Sequence, residues 1–204
     1  GAGWDSTYSV AWLLSQPHWR DPVAGGPELA RSKLLIFGGD LVYPYPTAEQ
    51  YHNRLARPYV LAGQRWGHNL GDVLAIPGNH DWYDSLVSFR KLFCCGALTG
   101  LRNTRQKHSY FAARLAHGWW VFGVDTQLDG DLDEAQFEFL HGIAAGIDAA
   151  GERVVLCLAD PGWLDNWKFG ASPFSRLKRQ QQNRSENAQC VFDCAIDQSK
   201  GQLL

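Results

Sequence analysis

The sequence predicts a layered fold of the α/β (α+β) class. Three observations predict it: short apolar runs that end at Gly or Pro, amphipathic segments between them, and an alternation of the two along residues 1–168. The length of 204 residues fits one domain, at roughly 100–200 residues per domain. We expect a globular domain over residues 1–168 and an unassigned polar insertion or tail over residues 169–204.

The first half of the domain has the pattern helix, strand, helix, strand, helix. Helices are predicted over 7–15, from 48 to about 62 and from 84 to 93, and buried strands over 33–37 and 72–76. Thr47 and Gln50 form a capping-box pair at the start of the second helix, and Asp84 can cap the third. Each strand is stopped by a Gly-Gly or Pro-Gly dipeptide.

The second half predicts a hairpin, a helix and another strand. The hairpin comprises 109–114 and 119–124, the helix runs from Asp133 to Gly151, and the buried strand covers 153–158. Leu140, Ile143 and Ile147 lie on one face of that helix. The pleat places Trp119 and Trp120 on opposite faces, so we expect one in the core and the other beneath a helix or lining a groove.

Composition excludes several classes of protein. The balance of 19 Lys+Arg against 21 Asp+Glu argues against a polybasic nucleic-acid surface. The longest apolar runs, such as 119–124, fall far short of the ~18 residues of a membrane span. Five cysteines without a CxxC pair favour a reducing compartment, and no leader segment is visible. We therefore expect a cytoplasmic location, with membrane association of the full-length protein left open. The absence of Met and the start at Gly1 predict a processed product or a fragment.

Polar side chains follow each predicted buried strand: Asp40, then Asn79, His80 and Asp81, then Asp125, then Asp160. Because the carboxyl ends of strands share one edge of an open α/β sheet, we expect Asp40, Asn79 and His80 to cluster there. Carboxylate, amide and imidazole groups suit Mn, Fe, Zn or Mg. A structural alternative applies to each piece, since Gly-Gly-Asp alone is typical of a turn and Asp125 can simply cap the hairpin. A turn needs only Pro-Gly, however, so the Asn-His-Asp that follows it favours a functional interpretation of this block.

Two sequence blocks resemble the motifs of a known family. GGDLVYP (38–44) and PGNHDWYD (77–84) are similar to the second and third motifs of the calcineurin-like metallophosphoesterase superfamily. Three further runs resemble a subgroup of large predicted phosphoesterases: GWDSTYSVAWLL (3–14), QKHSYFAARL (106–115) and WWVFGVDTQL (119–128). The resemblance covers about residues 1–168. It implies a metallophosphoesterase-like β-sandwich flanked by helices, incomplete in this chain, that hydrolyses a phosphoester substrate.

The resemblance also implies roles for individual residues at a site for two divalent or trivalent metal ions (Mn, Fe, Zn or Mg). Asp40 would bridge the ions, Asn79 would give an amide oxygen to the second, and Tyr43 is a further candidate ligand. His80 would approach the phosphate as an acid or charge stabiliser, and Asp81 would orient and polarise His80. Two metals ~3.5–4 Å apart lower the pKa of a bridging water and clamp the phosphoryl oxygens.

The chain departs from the family pattern at the remaining motifs. The resemblance places the first-motif Asp before Gly1 and a metal-binding His at Ala159, with Asp160 as a partial substitute, and the sequence has no Gly-His-x-His. We therefore expect this chain to bind metal weakly and to hydrolyse phosphoesters poorly. Two alternatives stay open: a catalytically impaired or non-catalytic module or truncated product with the same fold, and an unrelated α/β ligand-binding domain. The sequence selects no substrate among monoesters, diesters, nucleotides and phosphoproteins.

Overall fold

The computed structural model describes residues 4–21, 23, 25–126 and 132–159. The chain divides into two compact units, Gly1–Ser109 and Tyr110–Leu204. Both units contain helix and strand within the described residues, which confirms the mixed α/β class. The predicted boundary at residue 168 and the segment 169–204 lie outside the described residues.

The helices of the first unit follow the predicted pattern. They are α1 (Asp5–Ser15), α2 (Ala48–Tyr51), α3 (Arg57–Gly63) and α4 (Val87–Phe93), with 3-10 turns at Gln64–Trp66 and His80–Asp84. A π-helical stretch, His52–Ala56, joins α2 to α3, so the helix predicted from 48 to about 62 is one continuous run. Thr47 Oγ1 accepts a hydrogen bond from Gln50 N at 3.1 Å, and Asp84 Oδ2 accepts one from Ser88 N at 3.0 Å. Both predicted capping residues therefore bond to the start of their helix.

The first unit contains two sheets. One pairs β1 (His18–Trp19) with β2 (Leu29–Ala30), and the other contains β3 (Leu34–Phe37), β4 (Asp72–Ala75), β5 (Leu98–Thr99) and β6 (Arg102–Thr104). The second sheet has the order β3-β4-β6-β5, with β3 parallel to β4 and β4 parallel to β6. The central strand β4 is buried as predicted, whereas the four residues of β3 are only half-buried because β3 lies at the sheet edge.

The core of the first unit brings the sheet and the helices together. Phe89 and Phe93 of α4 share one hydrophobic cluster with Tyr51 and Val73. Phe37 at the end of β3 packs edge-on against Phe93, with 6.2 Å between the ring centroids. These contacts fix the carboxyl ends of β3 and β4 relative to α2 and α4, from which the candidate site is built.

The second unit contains a three-stranded sheet and one long helix within its described part. The elements are β7 (Phe111–Arg114), β8 (Trp119–Gly123), α5 (Glu134–Ala149) and β9 (Arg153–Cys157), with a 3-10 turn at Ala116–Gly118. The sheet order is β7-β8-β9, so the predicted hairpin forms and β9 runs parallel to β8. Asp133 Oδ1 accepts a hydrogen bond from Gln136 N at 2.8 Å and caps α5, which Gly151 follows with φ +63°.

One face of this sheet packs on α5. Leu140 and Ile147 are buried against Phe122, and Ile143 is half-buried in the same cluster, as the helical spacing predicts. Val155 of β9 is 44% exposed, so the prediction of a buried strand over 153–158 is wrong at this position. The reason is that β9 lies at the edge of the sheet and packs into the cluster of α5 through alternate residues only.

The two tryptophans of β8 differ in environment. Trp120 packs against the cluster of Phe122 and donates its indole N–H to Glu152 Oε2 at 2.5 Å. Trp119 is 36% exposed, and the Arg153 guanidinium lies 5.3 Å from its ring centroid. The two tryptophans therefore differ in burial as predicted, and Trp119 contacts a cation.

No helix within the described part of the chain is long and apolar enough to cross a membrane. Cys94, Cys95 and Cys157 are free thiols, and burial raises the pKa of Cys94 to about 11. Cys190 and Cys194 lie outside the described residues.

Candidate functional site

The ends of β3 and β4 bring the two sequence blocks together. Phe37 lies opposite Ala75 in the parallel register, and Ile76 N donates to Phe37 O at 3.0 Å one residue further on. The turn that contains Asp40 therefore starts beside the turn that leads to Asn79 and His80. This juxtaposition is the one that the positions of the residues after the strands predict.

Asp40 contacts the second turn directly. Its Oδ1 accepts a hydrogen bond from His80 N at 3.1 Å, and its backbone has φ +50°, in the left-handed region. A Cβ on Gly78 would lie against Asp40 Oδ1, and only 2.5 Å from Asp40 N. Gly78 is therefore required because the two turns approach too closely for any larger residue.

Asp81 joins the two turns from the buried side. It is fully buried, accepts a hydrogen bond from Gly78 N at 2.8 Å and from Leu41 N at 3.3 Å, and also accepts one from the Tyr51 hydroxyl. Burial raises the pKa of Asp81, while the three donors act in the opposite direction. Burial and the charge of Asp81 raise the pKa of Tyr51, so its hydroxyl keeps the proton that it donates.

The imidazole of His80 is oriented by a backbone carbonyl. Its Nδ1 lies 3.0 Å from Pro44 O, and because a carbonyl only accepts, Nδ1 must carry the proton. The neutral ring is then the tautomer whose Nε2 is unprotonated, and Nε2 becomes a donor only when the ring is charged. The carboxylate of Asp81 accepts hydrogen bonds from Leu41, Gly78 and Tyr51. The polarisation of His80 by Asp81, which the family resemblance implies, therefore stays a prediction.

Tyr43 and Asn79 lie at the outer side of the same turns. Tyr43 Oη donates to Asp40 Oδ2 at 2.6 Å, and this hydrogen bond, with burial, raises the pKa of Tyr43 to about 12. The phenol is therefore protonated at neutral pH, and it would have to lose that proton to bind a metal. Asn79 is exposed, and its Nδ2 lies 3.5 Å from Tyr83 Oη.

The donor types present suit a divalent ion, but they supply only part of a coordination shell. Asp40 offers carboxylate oxygens and Asn79 an amide oxygen, which are ligands of hard cations. A divalent ion takes roughly four to six donors. Within the described part of the chain, no group of three or more His, Cys, Asp or Glu residues is placed to hold a metal. The two ligands that the family resemblance implies, Asp40 and Asn79, would therefore need further donors to complete a site.

The other two strand ends belong to the second unit. Asp125 follows β8 and is buried; its N–H donates to Gln136 Oε1 at 2.8 Å, and its C=O accepts from Gln136 Nε2 at 2.9 Å. Ala159 follows β9 as the sequence requires, and Asp160 lies outside the described residues. The four strands divide between two sheets, with β3 and β4 in one and β8 and β9 in the other.

Sequence reasoning missed two residues that hold the site. Gln106 is buried and pairs with both backbone groups of Ala75, since Ala75 N donates to Oε1 at 2.7 Å and Nε2 donates to Ala75 O at 2.9 Å. Tyr51 donates to Asp81 across 30 positions of sequence. No local pattern signals either contact, although the capping box at Thr47 does place Tyr51 on a helix.

Comparisons with protein-family models, with curated proteins and with solved structures find no match for this chain.

Proposed function

We propose that this chain carries part of the active site of a metal-dependent phosphoester hydrolase of the calcineurin-like metallophosphoesterase type, with the two-sheet, helix-flanked fold of that superfamily. One observation carries the proposal. The two motif-like turns meet at adjacent strand ends, where Asp40 bonds to His80 N and Gly78 has no room for a side chain. These turns are the ones that carry the blocks GGDLVYP (38–44) and PGNHDWYD (77–84), which resemble two motifs of that superfamily.

The proposed chemistry divides between a bound metal and the side chains of the chain. Asp40 and Asn79 would hold the metal, which on binding supplies a Lewis acid and a water of lowered pKa. The His80 ring is fixed by Pro44 O through Nδ1, which leaves Nε2 to meet substrate. In its charged form, the ring can donate from Nε2 to a phosphoryl oxygen or to the departing alkoxide.

A second candidate is a catalytically impaired or non-catalytic module with the same fold. Ala159 at the end of β9 favours it, because a methyl group cannot take the place of the His that the resemblance expects there. Such a module would keep the joined turns, bind metal weakly and turn over slowly or not at all. The two candidates differ in activity and not in the structure of the turns.

Metal binding and phosphate release from an aryl phosphate distinguish them. We would titrate Mn²⁺ into the wild-type chain, Asp40→Asn and Asp72→Asn, and assay each with Mn²⁺ present. Asp72 is the matched control because it lies at the opposite end of β4 and forms a surface ion pair with Arg105.

Three outcomes are informative. Turnover that Asp40→Asn abolishes and Asp72→Asn retains supports the hydrolase, and we expect a rate below the ordinary range of about 1–10³ s⁻¹. Mn²⁺ binding that depends on Asp40 without turnover supports the impaired module. Wild-type protein that shows neither Mn²⁺ binding nor phosphate release would overturn both.

A further inference from the structure

Aromatic rings cluster around His80. The ring centroid of Tyr43 lies 4.1 Å from that of His80, the Tyr83 centroid lies 4.7 Å from it, and Tyr45 lies 6.4 Å from Tyr83. We call these four rings the aromatic collar. Tyr45 and Tyr83 are 49% and 45% exposed, so both keep uncovered ring surface next to the proposed phosphate-binding imidazole.

The collar is held by hydrogen bonds to the turns that carry it. Tyr45 Oη donates to Tyr83 O at 2.9 Å, and His80 Nδ1 donates to Pro44 O at 3.0 Å. These bonds link the turn of Tyr45 to the turn of Tyr83 and limit their separation. A surface that is ordered before binding loses little conformational entropy when a ligand stacks on it.

A single exposed tyrosine needs no functional explanation, because apolar atoms make up much of any protein surface. Here, however, the exposed Tyr83 lies beside the half-buried His80, and a second exposed tyrosine, Tyr45, lies beside Tyr83. Core packing does not account for them, because neither ring belongs to the hydrophobic cluster of the first unit.

We propose that Tyr83 and Tyr45 form a stacking platform for an aryl group, so that the site prefers phosphoesters whose alcohol is a phenol. The inference rests on the proposed function. The ring centroid of Tyr83 lies 4.7 Å from that of His80, so the ring of an aryl ester whose phosphoryl group meets His80 can reach Tyr83. Aromatic pairs are favourable at centroid distances of about 4.5–7 Å, in offset or edge-to-face geometry. The two tyrosines therefore set specificity through binding, and they take no part in proton transfer.

Binding of two phosphonates to the full chain tests the platform without requiring turnover. Phenylphosphonate and methylphosphonate share the charged head and differ in the ring, and neither is a phosphoester that the site could hydrolyse. Isothermal titration with Mg²⁺ present would give the dissociation constant of each. The proteins are wild type, Tyr83→Leu, Tyr45→Leu, Asp40→Asn and the control Tyr8→Leu, which removes a tyrosine 37% exposed on α1.

We expect wild-type protein to bind phenylphosphonate about 3- to 10-fold more tightly than methylphosphonate. Tyr83→Leu should remove most of this preference and Tyr45→Leu part of it, while Tyr8→Leu keeps it. Equal binding of the two phosphonates by wild type, or a preference that survives in Tyr83→Leu, would overturn the platform and leave the proposed function standing.

A different result would contradict the proposed function itself, and the platform with it: neither phosphonate binds, or both bind equally well to wild type and to Asp40→Asn. A further arm identifies the source of the ring. A phosphonate analogue of a phosphotyrosine peptide that binds more tightly than phenylphosphonate assigns the ring to a protein substrate, and equal affinity assigns it to a small aryl ester.

Discussion

Replacing Gly78 by alanine tests how closely the two turns approach each other. The new Cβ would lie 2.5 Å from Asp40 N and 2.7 Å from Asp40 Cγ. Asp40 N is a backbone atom, so it would have to retreat by about 0.9 Å to reach an ordinary contact of 3.4 Å. That retreat breaks the hydrogen bond from His80 N to Asp40 Oδ1. Overpacking and the lost charged hydrogen bond together predict a destabilisation of about 2–4 kcal/mol.

Gly38→Ala is the matched control for this substitution. Gly38 follows the neighbouring strand β3, and a Cβ there would meet nothing within 4 Å. Both variants gain the same reduction in unfolded-state entropy, about 0.4–1 kcal/mol, so the difference between them isolates the steric clash. Urea unfolding followed by tryptophan fluorescence measures the free energy of unfolding of each. A difference below about 0.5 kcal/mol would refute the argument for close approach.

Two further predictions concern the side chains that hold the turns. Tyr51→Phe removes a hydroxyl donor from the buried Asp81 carboxylate and should cost about 1.5–3 kcal/mol in urea unfolding; in a double-mutant cycle, no coupling with Asp81→Asn would contradict this. Gln106→Leu leaves the N–H and C=O of Ala75 without their side-chain partner and should cost about 2–4 kcal/mol. The exposed Gln64→Leu should stay within about 0.5 kcal/mol of wild type, and an equal effect of the two leucine variants would count against this role of Gln106.

Local sequence patterns predict the helices and hairpins of this chain that depend on residues close together in sequence. The helix α5 and the hairpin of β7 and β8 are confirmed because apolar periodicity and turn residues determine them over short distances. The pairs β1–β2 and β5–β6 were not predicted, since strands of two or three residues have no measurable periodicity. Burial of β3 and β9 was overestimated because an apolar run does not tell whether its strand is central or at an edge.

The candidate site divides in the same way. The positions of Asp40, Asn79 and His80 after strands predict that they approach one another. The parallel register of β3 and β4 places the turns that follow these strands side by side. The partners of Asp81 and of Ala75 come from distant segments, and no spacing rule connects them. The partner of His80 Nδ1 was also not predicted, because it is a backbone carbonyl, and every residue type has one.

The two turns are joined by hydrogen bonds from backbone N–H groups to carboxylates. Backbone N–H groups of Leu41, Gly78 and His80 donate to the carboxylates of Asp81 and Asp40. These charge-assisted bonds orient both carboxylates before any cation is bound. A divalent ion at the proposed site would then meet a carboxylate that is already in position, although it would have to displace the hydrogen bond from Tyr43 Oη to Asp40 Oδ2. At the proposed site, the number of donors that the chain offers should therefore limit metal affinity more than the rearrangement of the turns.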